Sequence, residues 1–255
     1  MSDIIPYFSS SEGLQALALL ATGRTGADIE RLVREVRQKA RRDKRELTWA
    51  DIEQALGAQR MVMSDDLLWR VSVHEAGHAM AWTLLGIGEV ASVNLGLEQM
   101  GQVTVDRYRH LPQTEEWLTK TMAAILGGRV AELLVIGEPM VGSGGGEDSD
   151  LAKATAIALD AETRLGMALH QPLLYRPSAR GFEILTLDRD LAERVNTRLL
   201  AAETIAHNLL EEQGMTLMRL ANHLNQTGVM SGIEVREMLG ITPDVVEKED
   251  GETRL

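Results

Sequence analysis

The sequence has 255 residues, enough for one large domain or two smaller ones, and its 44% apolar and 25% charged residues are typical of a soluble globular protein. It contains no cysteine, which excludes disulfide scaffolds and thiolate zinc sites, and its net charge of −12 argues against general nucleic-acid binding. No apolar run approaches the roughly 18 residues of a membrane-spanning helix, and the N-terminus lacks a signal-peptide layout, so we expect a cytoplasmic protein without a membrane segment.

The abundance of alanine, leucine, glutamate and arginine predicts a mainly α-helical chain. A loose lead-in at 1–12 precedes a short apolar helix at 14–20. Thr25 begins a second helix with an apolar stripe and a basic opposite face. Acidic residues are interleaved on that basic face, which favours a solvated face or a subunit contact over a nucleic-acid surface. Thr48 then caps a third helix.

The middle of the chain is predicted to hold a helix, two strands and another helix. A linker at 57–66 precedes the first helix, which ends near Gly86. Residues 90–95 and 101–105 alternate in polarity and are predicted to form two short strands. A strand with a free edge can pair with an extended peptide, and a plain hairpin packed on the helices fits the same pattern.

The next helix is capped by Thr114 and runs to about Gly137. Its adjacent glycines at 127–128 predict close helix packing, and Arg129 or Glu132 either brace a functional site or form an ordinary surface pair. The rest of the chain is predicted in this order: a glycine-rich loop at 142–148, a helix from 150 to about 166, a loop region at 172–187, helices at 188–212 and 214–227, a last short helix capped by Ser231, and an acidic, disordered tail.

The strongest chemical signal is the sequence His-Glu-Ala-Gly-His at 74–78. Residues four apart lie on one face of a helix, so His74 and His78 can direct two imidazoles at one Zn²⁺ ion. Glu75 would lie beside the metal as a general base. Two histidines without a metal are the alternative, because so short a pattern also occurs by chance. Gly77 costs about 1 kcal/mol inside a helix, which favours a functional or packing reason for its presence.

The third metal ligand is not settled by spacing. The extended motif with a third histidine fails, because Ala81 and Leu84 occupy the required positions. A carboxylate after the glycine-rich loop is the alternative, and Asp150, Asp148 and Glu147 compete for this role. Asp150 stands in the first turn of a predicted helix, where a carboxylate also interacts with the helix dipole without binding a metal. The remaining histidines lie in unrelated contexts: His110, His170, His207 and His223.

Several motifs together resemble the peptidase domain of FtsH-type ATP-dependent zinc metalloproteases. The resemblance covers about 20–240, and it implies a helical zinc peptidase with a small strand element and one Zn²⁺ per chain. It also implies that Asp150 is the third ligand and that the chain forms six-fold rings. The matching stretches are 74–79, 127–132, 149–155, Gly166, 173–175 and 231–234.

The same resemblance divides the chain into a partial AAA-lid-like helical segment at 1–60, a metallopeptidase domain at 61–240 and the acidic tail at 241–255. Two features depart from the family pattern. The chain has no Gly-Lys-Ser/Thr of a nucleotide-binding loop, so ATP is not expected to bind this chain alone. The Pro-Arg-Gly turn expected after Leu95 is also missing, so the substrate-binding edge is expected to differ.

These observations predict a zinc-dependent endopeptidase that hydrolyses unfolded or partly unfolded proteins and lacks its own ATPase core. His74, His78 and Asp150 would bind the metal, and Glu75 would be catalytic. Its expected partners are protein or peptide substrates, further copies of the same chain in a hexamer, and a separate AAA ATPase. The alternative is a catalytically silent lid-peptidase module that serves as an assembly or adaptor partner of a hexameric AAA protease.

Overall fold

The computed structural model describes residues 17–21, 24–58, 61–96, 100–176 and 181–241. Residues 17–20 are helical, and a 3₁₀ turn lies at Val141–Ser143. The other elements, in chain order, are α1 (Gly26–Arg42), α2 (Trp49–Gly57), α3 (Asp65–Leu85), β1 (Gly88–Leu95), β2 (Gly101–Arg107), α4 (Glu115–Val135), α5 (Asp150–Thr163), α6 (Glu183–Leu187), α7 (Arg189–Glu212), α8 (Gly214–Thr227), β3 (Val229–Ser231) and α9 (Gly232–Met238).

The centre of the fold is the pair of helices α3 and α4. Both bury residues on most of their surface, as expected for helices enclosed by other elements. Gly77 of α3 lies against Gly127 of α4, and a Cβ atom on Gly77 would lie only 2.5 Å from the Cβ of Ala131. The close helix packing predicted from the glycines is therefore confirmed.

Helix α3 begins and ends where its local sequence dictates. The hydroxyl of Ser64 accepts a hydrogen bond from the amide of Leu67 at 3.3 Å, which satisfies one of the free N–H groups of the first turn. Gly86 ends the helix with φ of 64°, in the left-handed region that glycine adopts most readily. This helix carries the His-Glu-x-x-His sequence in its middle.

A three-stranded antiparallel sheet with the order β2-β1-β3 packs beside α3. Val93 of the central strand pairs with Val103 of β2 on one side and with Met230 of β3 on the other. Strand β2 is therefore an edge strand, and one of its edges has no strand partner among the described residues. Strands β1 and β2 confirm the predicted hairpin, whereas β3 was not predicted.

The helices α5, α7 and α8 surround the central pair and share one apolar core with the sheet. Buried Glu162 of α5 joins this layer, since it accepts hydrogen bonds from Arg194 at 2.9 Å and Arg198 at 2.7 Å, both on α7. Helices α1 and α2 instead form a separate small cluster around Leu32, Val36 and Leu56. No helix in the described part of the chain is both long enough and apolar enough to cross a membrane.

The mainly helical prediction is confirmed, and the bounds of most elements agree closely. One prediction was wrong: the region 172–187 was expected to be a loop, but it contains α6 at its end. The lead-in, most of the acidic tail and the turn after Leu95 at 97–99 lie outside the described residues. The domain division at residue 60 stays a prediction, since 59 and 60 are also outside them.

Candidate metal centre and active-site cleft

The two histidines of the sequence motif lie one helical turn apart on the face of α3 that points toward α4. Their Nε2 atoms are 3.0 Å apart, and the two rings are arranged edge to face, with an interplanar angle of 80°. His74 and His78 therefore direct lone pairs into one small volume, as the four-residue spacing predicted.

Asp150 completes the group from another element. It is the first residue of α5, where the hydroxyl of Ser149 caps the helix by accepting from the amide of Ala152. Its Oδ2 atom lies 3.2 Å from Nε2 of His74 and 3.1 Å from Nε2 of His78. The competing carboxylates, Glu147 and Asp148, are exposed and do not belong to this group.

The three donor atoms fit a tetrahedral zinc ion. Zinc bonds of about 2.0–2.1 Å place the ligands of a tetrahedron about 3.3 Å apart. The three distances between Nε2 of His74, Nε2 of His78 and Oδ2 of Asp150 are 3.0 to 3.2 Å. Two imidazoles and one carboxylate are also the ligand types of catalytic zinc sites, which leave the fourth position open. Among the described residues, no other cluster of histidine and acidic side chains has this geometry.

The other ring nitrogen of each histidine is fixed by a partner. Nδ1 of His78 donates to the carbonyl oxygen of Ala124 at 3.1 Å, and Nδ1 of His74 donates to Oε1 of Glu132 at 2.5 Å. Since both acceptors bind the N–H at Nδ1, each Nε2 keeps its lone pair for a metal. Fully buried Glu132 also accepts from the amide of Met140, so its carboxylate is held at both oxygens.

Of the two residues that the sequence left open for bracing the site, Glu132 is the one that contacts the candidate metal group, through His74. Arg129, the other candidate for that role, instead pairs with Glu203 of α7 at 3.2 Å. The sequence does not distinguish the two residues, because both lie on α4 within one turn. Only the burial of Glu132 against His74 separates them.

The electrostatics of the group favour positive charge at its centre. Burial lowers the pKa of His74, but its hydrogen bonds with Asp150 and Glu132 outweigh burial and raise that pKa to about 10. Burial raises the pKa of Asp150, but its hydrogen bonds with the two histidines outweigh burial and bring the pKa well below its usual value. The two carboxylates thus stabilise a cation, whether a proton or a metal ion.

Glu75 lies beside this group in a nearly closed environment. Its relative exposure is 6%, and burial raises its pKa above the ordinary value of a glutamate, while the neighbouring histidines counteract this effect. Gly101 of β2 lies against its side chain: a Cβ atom on Gly101 would be 2.5 Å from Cγ of Glu75. The start of the edge strand is therefore in contact with the candidate general base.

Gly128 of α4 plays a similar part at the histidines. A Cβ atom there would lie 2.5 Å from Nε2 of His78 and 2.7 Å from Nε2 of His74. The sequence identified Gly128 only as a packing residue and did not single out Gly101. The available signal for Gly128 was a small residue in a helix predicted to pack closely. That it faces the two imidazoles is visible only in the folded chain.

The candidate site lies in an open cleft of about 480 Å³. One wall is α3 with its two histidines, and the opposite wall is the edge strand β2. Trp82 and Arg107 lie at one end of the cleft, where the guanidinium carbon of Arg107 is 5.3 Å from the centre of the Trp82 ring. The remaining histidines, His110, His170, His207 and His223, do not line it.

Comparison with known proteins gives consistent matches over most of the chain. Residues 61–238 match the sequence profile of Peptidase family M41. The ATP-dependent zinc metalloprotease FtsH 1 of Symbiobacterium thermophilum is 33% identical over 253 residues, which cover 92% of this chain and 41% of that protein. The FtsH of Syntrophobacter fumaroxidans is 30% identical over 258 residues, which cover 89% of this chain and 39% of that protein. The chain thus spans about two fifths of the length of these curated relatives.

Proposed function

Because the chain belongs to peptidase family M41, we propose that it is a zinc-dependent endopeptidase that hydrolyses unfolded or partly unfolded proteins. The observation that carries the proposal is the convergence of His74, His78 and Asp150, with donor atoms 3.0 to 3.2 Å apart and the buried carboxylate of Glu75 beside them. The names of the relatives, which include zinc metalloprotease, agree with this donor set.

His74, His78 and Asp150 would hold the zinc ion, with Glu132 and the carbonyl of Ala124 orienting the imidazoles. When bound, zinc would polarise the substrate carbonyl and lower the pKa of a water molecule to about 7. The chain's own contribution is a rigid donor set: each ring is fixed at Nδ1, so little ordering is needed when the metal binds.

Glu75 would act as the general base and then the general acid. Its carboxylate accepts a proton from the attacking water as the C–O bond forms, and it passes that proton to the leaving amine as the C–N bond breaks. Burial raises the pKa of Glu75, which makes its carboxylate a stronger base than an exposed glutamate. The contact with Gly101 keeps the side chain between the metal group and the edge strand.

The edge strand β2 supports an extended substrate in the cleft. One edge of β2 has no strand partner among the described residues, and residues of β2 line the cleft, so its backbone can pair with a peptide in the manner of an added strand. Only a segment without its own secondary structure can bind in this way, which accounts for a preference for unfolded proteins.

Cleavage itself would not require ATP in this chain. The relatives are named ATP-dependent, but these 255 residues contain no Gly-Lys-Ser/Thr sequence. We expect an unfolded protein such as casein to be cleaved at the same rate with and without ATP. We also expect copies of the chain to assemble, and light scattering of the purified protein measures the size of the assembly.

The direct test of the mechanism is Glu75→Gln, which keeps the size of the side chain and removes its basicity. We expect this variant to bind one zinc per chain and to cleave casein at least about 100-fold more slowly than the wild type. Zinc content by atomic absorption and casein cleavage are the two measurements. A variant with full zinc and full activity would rule out Glu75 as the general base. Because both proteins would then be active, this result would not favour the silent adaptor module.

The ligand assignment has its own matched pair. Asp150→Ala removes the proposed ligand, whereas Asp148→Ala removes an exposed carboxylate two residues earlier, in the loop before α5. We expect zinc occupancy to fall sharply in the first variant and to remain near that of the wild type in the second. Equal losses in both variants would reject Asp150 as a specific ligand.

A further inference from the structure

The cleft continues past the metal group along β2. Side chains alternate between the two faces of a strand, so Gly101, Val103, Val105 and Arg107 share one face. All four line the cleft, beginning with Gly101 against Glu75 and ending with Arg107. Arg107 therefore belongs to the row of residues that faces the substrate path.

Trp82 forms the floor of the cleft at this end. It follows His78 by four residues, which places it one turn further along the same face of α3. The Trp82 side chain is buried, with 6% relative exposure, while Arg107 above it is exposed. Ile125 of α4 adds a second apolar wall. These residues form a recess with apolar sides and a cation at its rim.

The cation at the rim is available to a ligand. Within the described ranges, Arg107 forms no ion pair, and its guanidinium carbon lies over the Trp82 ring, 5.3 Å from the ring centre. A guanidinium that lies over a ring in a cation–π contact keeps N–H groups for other partners, and these groups fit a carboxylate in a two-pronged arrangement. The contact with Trp82 also limits the motion of the Arg107 side chain, so less conformational freedom is lost on binding.

We propose that Arg107, Trp82 and Ile125 form a substrate subsite that binds a peptide carboxylate. The inference rests on the proposed endopeptidase function and specifies which substrates that activity favours. The carboxylate comes from a glutamate side chain, whose two methylenes pack on Trp82 and Ile125, or from the free C-terminus of a peptide. The four residues from His78 to Trp82 advance about 6 Å along the helix, so the bound residue lies within about three positions of the scissile bond.

The test uses fluorogenic peptides of one uncharged sequence in which a single glutamate is moved stepwise from three residues before to three residues after the scissile bond. Matched peptides carry glutamine, aspartate or lysine at each position. Each is made with a free and an amidated C-terminus, which separates the two sources of the carboxylate. We expect kcat/KM of the wild type to be about tenfold higher for glutamate than for glutamine at one position.

Two substitutions at Arg107 test the assignment. Arg107→Gln is expected to reduce the glutamate-to-glutamine ratio to about one, and Arg107→Glu is expected to reverse the preference toward lysine. Arg109→Gln is the control, because Arg109 is exposed, lies two residues further along the chain and does not line the cleft. It removes the same charge and is expected to keep the tenfold ratio.

Failure of this inference is distinguishable from failure of the proposed function. A wild type that cleaves the peptides without preferring glutamate at any position, or an equal loss of preference in Arg109→Gln, overturns the subsite alone. A wild type that cleaves none of the peptides overturns the proposed function. In that case the fluorescence anisotropy of labelled peptides still measures their binding to the Glu75→Gln protein. Tighter binding of the glutamate peptide than of the glutamine peptide, lost when Arg107→Gln is added, supports the subsite. Equal binding of the two peptides overturns it.

Discussion

Two groups of glycines crowd the centre of this molecule, and they do so for different reasons. Gly77 and Gly127 bring the backbones of α3 and α4 together, and a Cβ atom on Gly77 would overlap the carbonyl of Gly127. Gly128 and Gly101 instead face side chains of the candidate site, the two imidazoles and the carboxylate of Glu75. The first pair allows the two helices to pack closely, and the second leaves space for the side chains of the candidate site.

The comparison shows that crowding alone does not reveal the role of a glycine. A glycine in the interior of a helix costs about 1 kcal/mol relative to alanine, so Gly77, Gly127 and Gly128 are each expected to have a compensating benefit. Replacement by alanine distinguishes the two roles. A methyl group that overlaps a backbone forces the helices apart, whereas a methyl group that overlaps a side chain displaces that side chain. The following substitutions by alanine, in order of decreasing expected effect, test the distinction.

Gly77→Ala is expected to have the largest effect, a loss of about 3 kcal/mol in the free energy of unfolding. The new methyl group meets the backbone of Gly127 and the Cβ of Ala131, so α3 and α4 have to separate. Urea unfolding followed by circular dichroism, with a chelator present, measures stability without a metal contribution. Unchanged stability under these conditions would contradict the packing role.

Gly128→Ala is expected to weaken zinc binding about 100-fold, equivalent to about 2.7 kcal/mol, with a smaller loss of stability in the presence of chelator. The new methyl group would lie 2.5 Å from Nε2 of His78, so the imidazole has to turn away from the proposed metal position. Competition with a chromophoric chelator measures the zinc affinity. If the loss of unfolding free energy relative to the loss of zinc affinity is the same in Gly77→Ala and Gly128→Ala, the two groups of glycines do not differ in role.

Gly101→Ala is expected to lower kcat/KM for peptide cleavage about tenfold while zinc content stays at that of the wild type. The methyl group would lie 2.5 Å from Cγ of Glu75, and this flexible side chain can move where a backbone cannot. Peptide kinetics and zinc analysis of the same preparation test the prediction. Loss of zinc in this variant would show that Gly101 supports the metal ligands rather than the general base.

Gly214→Ala is the reference substitution and is expected to change the free energy of unfolding by less than about 0.5 kcal/mol. Gly214 begins α8, and a Cβ atom there would meet nothing within 4 Å. The same urea titration gives the value. A large loss here would mean that the effect of Gly77→Ala reflects glycine replacement in general and not the helix contact.

Much of the secondary structure was predictable because its signals are local. Thr25, Thr48 and Ser231 each begin a helix through a capping box with an acidic residue three positions later, as their sequences indicate. Strand β3 was missed because three residues are too few to show alternation, and this segment becomes a strand only by pairing with β1. The short helix α6 was missed in a region that contains loop signals on both sides.

The sequence by itself determined the helical class, the family resemblance, which the comparisons confirm, and the pair of histidines. His74 and His78 could be paired from sequence because one helical turn sets their separation whatever surrounds the helix. Their meeting with Asp150, 72 residues after His78, depends on how α5 packs against the central helices. The same holds for Glu132 behind His74 and for Arg107 above Trp82. Contacts between elements depend on packing across the whole core, and the tertiary structure alone decided them.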